Sequence, residues 1–444
     1  MRMFIRISFY IVVLTLFRGY PEAQGQELRT ALAPDRTSAA SISSQDIVGS
    51  DTAHTLELFL SEALRNNPRL QAAREKARSA DGRVPQAAAW DDPIVGVEYF
   101  ATPVTSANPF RDGMETDYFI QQMIPFPGKK GLMRDATTAA AKMEVQSAAA
   151  LERKLVAEVK TSYAMIYSTQ QRIRVNEENQ ELLEQIVESA RAKYRVGVTS
   201  QGDVLKVQVE LAKLQNDQSA LEQELASAVS MMNALRSVSP ATSVGPLVGV
   251  VLAEYPESPE SASSDALESR PEIQGMRNEV EMKEADVAAS RREWFPDFMV
   301  RGMYKQMMDQ TDQWAAMVGI NIPLAPWGVG KYTGKVEENE ASLRSSEQSL
   351  LEMQNMVQAQ VRDAHAKVRS GWERLDRYRE TILPQAEEAF QSTLAAYQID
   401  AADFLSLLDS YRMLQMLKME YYMVEAEYAS NLASLEQAIG RNLE

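Results

Sequence analysis

The chain has 444 residues, a formal net charge of −16, and no cysteine. The acidic balance argues against nucleic acid, which selects basic surfaces. Without cysteine there are no disulfides, thiolate metal sites or lipidated N-terminal cysteine, and two histidines, His54 and His365, are too few for a histidine-built metal or catalytic site.

In chain order, residues 1–25 read as a secretory signal: Arg2 and Arg6 are followed by the apolar run FYIVVLTLF and by AQG at 23–25 as a cleavage site. Residues 26–53, rich in Ser, Ala and Thr with no apolar period, read as a flexible N-terminus. No later stretch offers the ~18 consecutive apolar residues of a membrane helix. A membrane role for an exported chain must then rest on β-strands.

From residue 54 the pattern predicts a helix over 54–90, strands near 94–101 and 117–124, a long helix over 129–195 and another over 203–236. A connector at 237–263 follows, rich in proline and serine. Then come a helix over 264–293, strands near 297–305 and 313–322, and helices over 330–395 and 403–440, with a kink or irregular turn predicted around Gly371 and Pro384. The two halves, 54–236 and 264–444, resemble each other. ALRNNPRLQAAREKARSADGRV aligns without gaps on ALESRPEIQGMRNEVEMKEADV, and at the same offset of about 203 positions Pro93 falls on Pro296 and Tyr194 on Tyr397. Such self-similarity predicts two copies of one unit.

The helices carry coiled-coil seams: Leu211, Leu214, Leu221, Leu225, Met232 and Leu235 in one, and Ile166, Ile173, Val187 and Tyr194 in another. A helix of ~65 residues is about 100 Å long, which suits a bridge across a compartment rather than a globular core. The strands alternate: Trp314, Ala316, Val318, Ile320 and Ile322 share one side, and Phe298, Val300 and Tyr304 lie opposite Met299, Arg301 and Lys305. Strands of about nine residues suffice to cross a bilayer at a tilt. Tyr99, Phe100, Tyr118, Phe119, Trp314 and Trp327 stand near strand ends, where an interfacial girdle belongs. Four strands cannot close a barrel, and an open edge cannot stay in lipid. The barrel must be shared: a dimer gives about eight strands and a filled interior, a trimer about twelve and an open lumen, so transport favours the trimer. The junction IPFPGKKG at 124–131 then ends a membrane strand and re-aims the chain, its lysines just outside the apolar zone.

Here the sequence resembles the TolC-like outer-membrane efflux proteins. The resemblance is carried by ILPQAEEAFQSTLAAYQIDAADFLSLLDSYRML (382–414), EYASNLASLEQAIG (427–440), YRVGVTSQGDVLKVQVELAKLQ (194–215) and ALRNNPRLQAAR (63–74). PFPGKKG is most similar to the branch linked to metal-ion and other RND-type pumps. The resemblance implies a mainly α protein with membrane β-structure. Its trimeric twelve-stranded barrel, four strands per chain, is continued by a long α-helical coiled-coil barrel. It implies a passive channel in the outer membrane of a Gram-negative bacterium, in contact with outer-membrane lipid. A periplasmic adaptor and an inner-membrane RND-type pump, or a type I secretion system, would feed it, with no cofactor and no chemistry of its own.

The turns near 195–202 and 398–403 then form the periplasmic tip. Ser200 and Asp403 align at the repeat offset and are predicted N-caps, with Asp203 completing a capping box. Asp409 lies beyond the cap with no local role and is predicted to face the pore, with Asp203 and Asp400 adding to it. A ring of such carboxylates attracts cations. The resemblance marks Arg195, Gly197, Val198, Thr199, Gln398 and Ile399 as adaptor contacts. The family's glycine is kept as Gly197 in the first turn but is Asp400 in the second.

Met413, Met416, Met419 and Met423 form a stripe at helical spacing; thioethers bind Cu(I), but core filling is the expected role. GVGKYTGK (328–335) lacks the glycine five before Gly330 and the Ser/Thr after the lysine that a phosphate loop needs. The alternative function is a periplasmic adaptor with long hairpins. An exported enzyme is the other, and no nucleophile, base and acid stand together in the sequence to favour it.

Overall fold

In a computed structural model of the chain, the described residues are 55–100, 115–197, 199–249, 252–307, 310–323, 326–399 and 401–442. The predicted signal and the whole N-terminal segment, 26–53, lie outside them, as do Val198 and Asp400. Where one helix was expected over 54–90 there are three: α1 (Leu56–Asn66), α2 (Pro68–Asp81) and α3 (Val84–Ala88). Asn67 makes the first break. Its backbone is extended, and its side chain accepts hydrogen bonds from the N–H groups of Arg69 and Leu70 while donating to the Leu235 carbonyl at 2.9 Å. Pro68 at the first helical position has no N–H to lose, so a cap followed by proline restarts the helix.

Strand β1 (Ile94–Phe100) pairs with β2 (Glu115–Ile124), which leads into α4 (Lys129–Arg195), 67 residues without interruption. Gly128 caps α4 with φ +91°, a left-handed conformation that only glycine adopts without steric cost. Helix α5 (Gln201–Arg236) returns alongside α4. The connector is held by hydrogen bonds from Asn233 Nδ2 to the Thr242 carbonyl (2.7 Å), Tyr163 Oη to Val248 (2.7 Å) and Tyr428 Oη to Ala253 (2.5 Å). It becomes helical earlier than expected, at α6 (Pro259–Ser269), because Ser258 caps it and Pro259 fits its first turn.

After α6 come α7 (Pro271–Arg292), β3 (Phe298–Met307) and β4 (Gln313–Ile320). The second long helical run is α8 (Val329–Arg377), a π-helical turn at Tyr378–Ile382, and α9 (Leu383–Gln398); α10 (Phe404–Ile439) follows. The irregularity sits at Pro384 and not at Gly371. Proline lacks the N–H that would bond back one turn, and a wider turn before it relieves the clash. Gly371 stays helical and leaves room for Tyr428, whose Cδ2 would lie 3.2 Å from an added Cβ.

Three apolar clusters hold the helices. Phe59, Leu70, Tyr163, Ile166 and Met232 form one, and Ile273, Val357, Val361, Leu375, Tyr428 and Ile439 another. The third joins both halves of the chain: Leu183, Val187, Val207 and Leu214 with Phe390, Tyr397, Phe404, Leu407 and Tyr411. Of the predicted seam, Ile166, Val187, Leu214, Leu221 and Met232 are buried, while Tyr194 is exposed.

Candidate functional site

The four strands form one antiparallel sheet in the order β1-β2-β3-β4. Its register aligns Val97, Tyr118, Tyr304 and Trp314 in one row, and Gly96, Phe119, Met303 and Ala315 in the next. Because side chains alternate across a strand, the rows divide the sheet into two chemically distinct faces. One face shows Val95, Val97, Tyr118, Ile120, Val300, Trp314, Val318 and Ile320, all exposed. Tyr304 sits between Tyr118 and Trp314, with ring centroids at 6.5 and 5.1 Å. The opposite face holds ions. Arg301 pairs with Glu98, and Lys305 with Glu115 (2.6 Å) and Asp117 (3.0 Å). Phe119 and Phe100, expected in an outward girdle, belong to this charged face. Arg301 lies 3.7 Å from the Phe119 ring centroid and Lys305 5.6 Å from that of Phe100. Among the described residues β1 pairs only with β2 and β4 only with β3, so both outer edges are unpaired.

The sheet meets the helices at a locked junction. Lys129, expected just outside the apolar zone, is buried: its Nζ donates to Asp297 Oδ1 (2.8 Å) and to the Phe295 carbonyl (2.9 Å). The Phe126 N–H donates to the same Asp297 oxygen at 2.7 Å, and the rings of Phe126 and Phe295 stack at 4.6 Å. A lysine that must be buried needs such a partner. Its partner comes from the other half of the chain.

At the far end of α4, Gly197 has φ +82° and its N–H reaches the Tyr194 carbonyl at 3.0 Å. Ser200 and Asp203 form a reciprocal capping box on α5. Asp203 Oδ2 accepts from Ser200 Oγ (2.8 Å) and Thr199 Oγ1 (3.0 Å), and these bonds, Ser200 first, hold its carboxyl below the usual range. Asp403 caps α10 by accepting from the Ser406 N–H at 2.7 Å, which lowers its pKa, while the charge of Asp203 pushes it the other way. The second turn closes differently from the first, with Ala401 N–H on the Ala396 carbonyl at 2.8 Å. Lys193 joins the turns: Nζ donates to the Tyr397 carbonyl at 3.0 Å and lies 4.0 Å from that ring's centroid.

Asp409, on the second turn of α10, has a side chain 66 % exposed, with Arg412 Nη1 at 3.9 Å. Arg412 reaches across to buried Glu210 on α5 at 2.6 Å. Burial pushes Glu210 up, but hydrogen bonds from Arg412 and Lys213 outweigh it and leave the carboxyl below its usual range. Arg195, Gly197, Gln398 and Ile399 are exposed, and Thr199 is partly so. The sequence reading passed over Val196, 74 % exposed, which falls on Ile399, 77 % exposed, at the repeat offset. Two aligned aliphatic residues at hairpin tips were the available signal.

A sheet apolar on one face and charged on the other, set on helices of this length, defines a membrane-anchored helical conduit. The outer membrane efflux protein family model matches the chain twice, over residues 59–236 and 262–441. The chain is 22 % identical over 397 residues to the cobalt-zinc-cadmium resistance protein CzcC of Cupriavidus metallidurans, covering 87 % of this chain and 90 % of that one. Among solved structures, the Vibrio cholerae outer membrane protein VceC matches with a TM-score of 0.73 at 18 % identity, covering 88 % of this chain and 97 % of that one. CusC, described for conformational changes in folding and transmembrane channel formation, has the same TM-score and identity over 93 % of this chain and 100 % of that one. The chain belongs to the outer membrane efflux protein family. It is thus an outer-membrane efflux channel with a periplasmic extension, not an enzyme. The adaptor alternative finds no support.

Proposed function

We propose that three copies of this chain close their sheets into one twelve-stranded barrel continued by a helical tunnel. A periplasmic adaptor would engage the tip and deliver substrate from an inner-membrane RND-type pump. The observation that carries this reading is the sheet. Its two faces suit lipid and water, and its two unpaired edges need partners, because every backbone polar group inside a bilayer must be satisfied. Rotational symmetry pairs β4 of one copy with β1 of the next and closes the ring. Residues 54–236 and 264–444 act as two copies of one unit within each chain, joined by 237–263.

The cargo class follows from charge and kinship. CzcC is a cobalt-zinc-cadmium resistance protein, and this chain carries a net charge of −16. Metal cations are the proposed substrate. Asp409, with Asp400 close to it in sequence and Asp203 on the other turn, would form a carboxylate ring at the tip. Exposed Val196 and Ile399, with Arg195, Gly197, Val198, Thr199 and Gln398, would meet the adaptor.

The test is the mass of the detergent-extracted protein by light scattering with detergent subtracted. The expected value is near three times the 49.6 kDa chain, less the signal peptides. A mass of one or two chains would overturn the twelve-stranded barrel.

A further inference from the structure

Helix α10 carries an unusual exposed face. At about 100° per residue, Asp409, Met413, Met416, Glu420, Met423 and Glu427 fall within an arc of about 80°. Met413, Met416 and Met423 are 46, 60 and 46 % exposed. Methionines that fill cores are buried, and these three are not. Nor is the face an apolar seam, because three carboxylates share the arc and burying them would be costly. Glu427 pairs with Arg374 at 2.9 Å. Of the cations on the same turns, Arg412 holds Glu210 at 2.6 Å and lies farther, at 3.9 Å, from Asp409, and Lys418 holds Glu387 at 2.9 Å.

The first half of the chain supplies an internal comparison. At the repeat offset of about 203, those six positions fall on Lys206, Glu210, Lys213, Asp217, Ala220 and Glu224. Those positions are mostly charged: Lys206 lies on Asp203 (3.4 Å), and buried Glu210 is shared by Lys213 (3.3 Å) and Arg412 (2.6 Å). Mostly lysines and acids fill those positions in the first half, so thioethers on α10 need another reason.

We propose that this face of α10 binds soft monovalent metal ions of the Cu(I) and Ag(I) class. Met413 and Met416, three residues apart and so ~5–6 Å between Cβ atoms, form the first thioether pair. Met423, about 10 Å further along the helix, forms the next position. Asp409 and Glu420 attract the cation without being soft ligands themselves; the thioethers select it. Binding at spaced weak positions is what conduction requires. The inference deepens the metal-efflux reading and rests on it only for transport, since binding itself is read on the purified protein.

The experiment is titration of detergent-purified protein with Ag(I) in chloride-free buffer. It compares the natural chain with a Met413→Leu/Met416→Leu/Met423→Leu variant, leucine keeping apolar bulk. The expected result is an Ag(I) affinity at least ten-fold weaker in the variant, with its mass in detergent unchanged. Absent or equal Ag(I) binding overturns the proposal while leaving the channel reading intact. A variant that no longer assembles like the natural chain shows a packing seam and overturns it too. Methyl spectra of the natural chain, with ε-methyls assigned by single Met→Leu changes, give a second readout. Resonances of Met413, Met416 and Met423 must move on Ag(I) addition, and movement confined to other methionines overturns the site.

Discussion

Lys129 and Glu425 answer the burial of a charge in opposite ways. Lys129 gains Asp297 and the Phe295 carbonyl, and the sequence showed only that a lysine follows a proline-glycine break; its acidic partner lies 168 positions away. Glu425 on α10 has one oxygen 3.5 Å from the Tyr421 hydroxyl and the other, Oε2, buried with no partner. Burial pushes its pKa up, more than the Arg379 charge and the Tyr421 hydrogen bond pull it down. A carboxyl raised on folding binds more protons folded than unfolded, so its contribution to stability falls as pH rises through that window. Glu425→Gln is therefore expected to raise the melting temperature at pH 7–8, with the gain vanishing below about pH 4, where both states are protonated. A gain that persists at acid pH would point to packing instead. Asp409 stands past the cap, unneeded by the helix, so a change there tests the pore and not the fold. In planar bilayers Asp409→Ala is expected to reduce cation preference, and unchanged selectivity removes it from the pore.

At the scale of elements, the two glycines of the α4 start should respond with opposite signs. Gly128 has φ +91°, and a Cβ there would lie 2.8 Å from Arg292 Nη1, which itself donates to the Pro127 carbonyl. Gly128→Ala is expected to cost about 1–2 kcal/mol from the left-handed backbone alone. Gly131 is helical with nothing within 4 Å of a Cβ, so Gly131→Ala should stabilise by about 0.5–1 kcal/mol. Thermal melting of the two variants in one detergent checks the pair, and equal signs would mean that the turn at Gly128 is not built as described. The elements were readable because their signals are local: β-alternation, capping residues, and a run from Gly131 to Gly197 without Gly or Pro. What escaped was also local but subtler. Asn67 before Pro68 and Ser258 before Pro259 each begin a helix that apolar spacing alone does not delimit. At Pro384 the chain keeps helical continuity through one π turn, because packing of Tyr378 and Ile382 into the core outweighs the lost hydrogen bond.

For the whole molecule, closure turns on strand edges. A lone chain presents β1 on one side and β4 on the other, and a bilayer leaves neither edge a water to bond. Pairing like edges, β1 with β1, closes nothing beyond a dimer that still carries two free β4 strands. Pairing β1 with β4 propagates from copy to copy and stops only where rotation closes the ring. The chain has no cysteine, so engineered thiols report on this directly. One cysteine in β1 and one in β4 of the same chain, at positions scanned along each strand, should oxidise at matching registers into covalent products. Those products are expected to reach three chains and no more, since the third link rejoins the first copy. Each single-cysteine variant should stay uncrosslinked, because identical edges do not meet. A ladder running past three chains would mean open propagation and no barrel. Crosslinked products from either single variant would mean like-edge pairing, and the twelve-stranded closure would then be lost along with the lumen that transport requires.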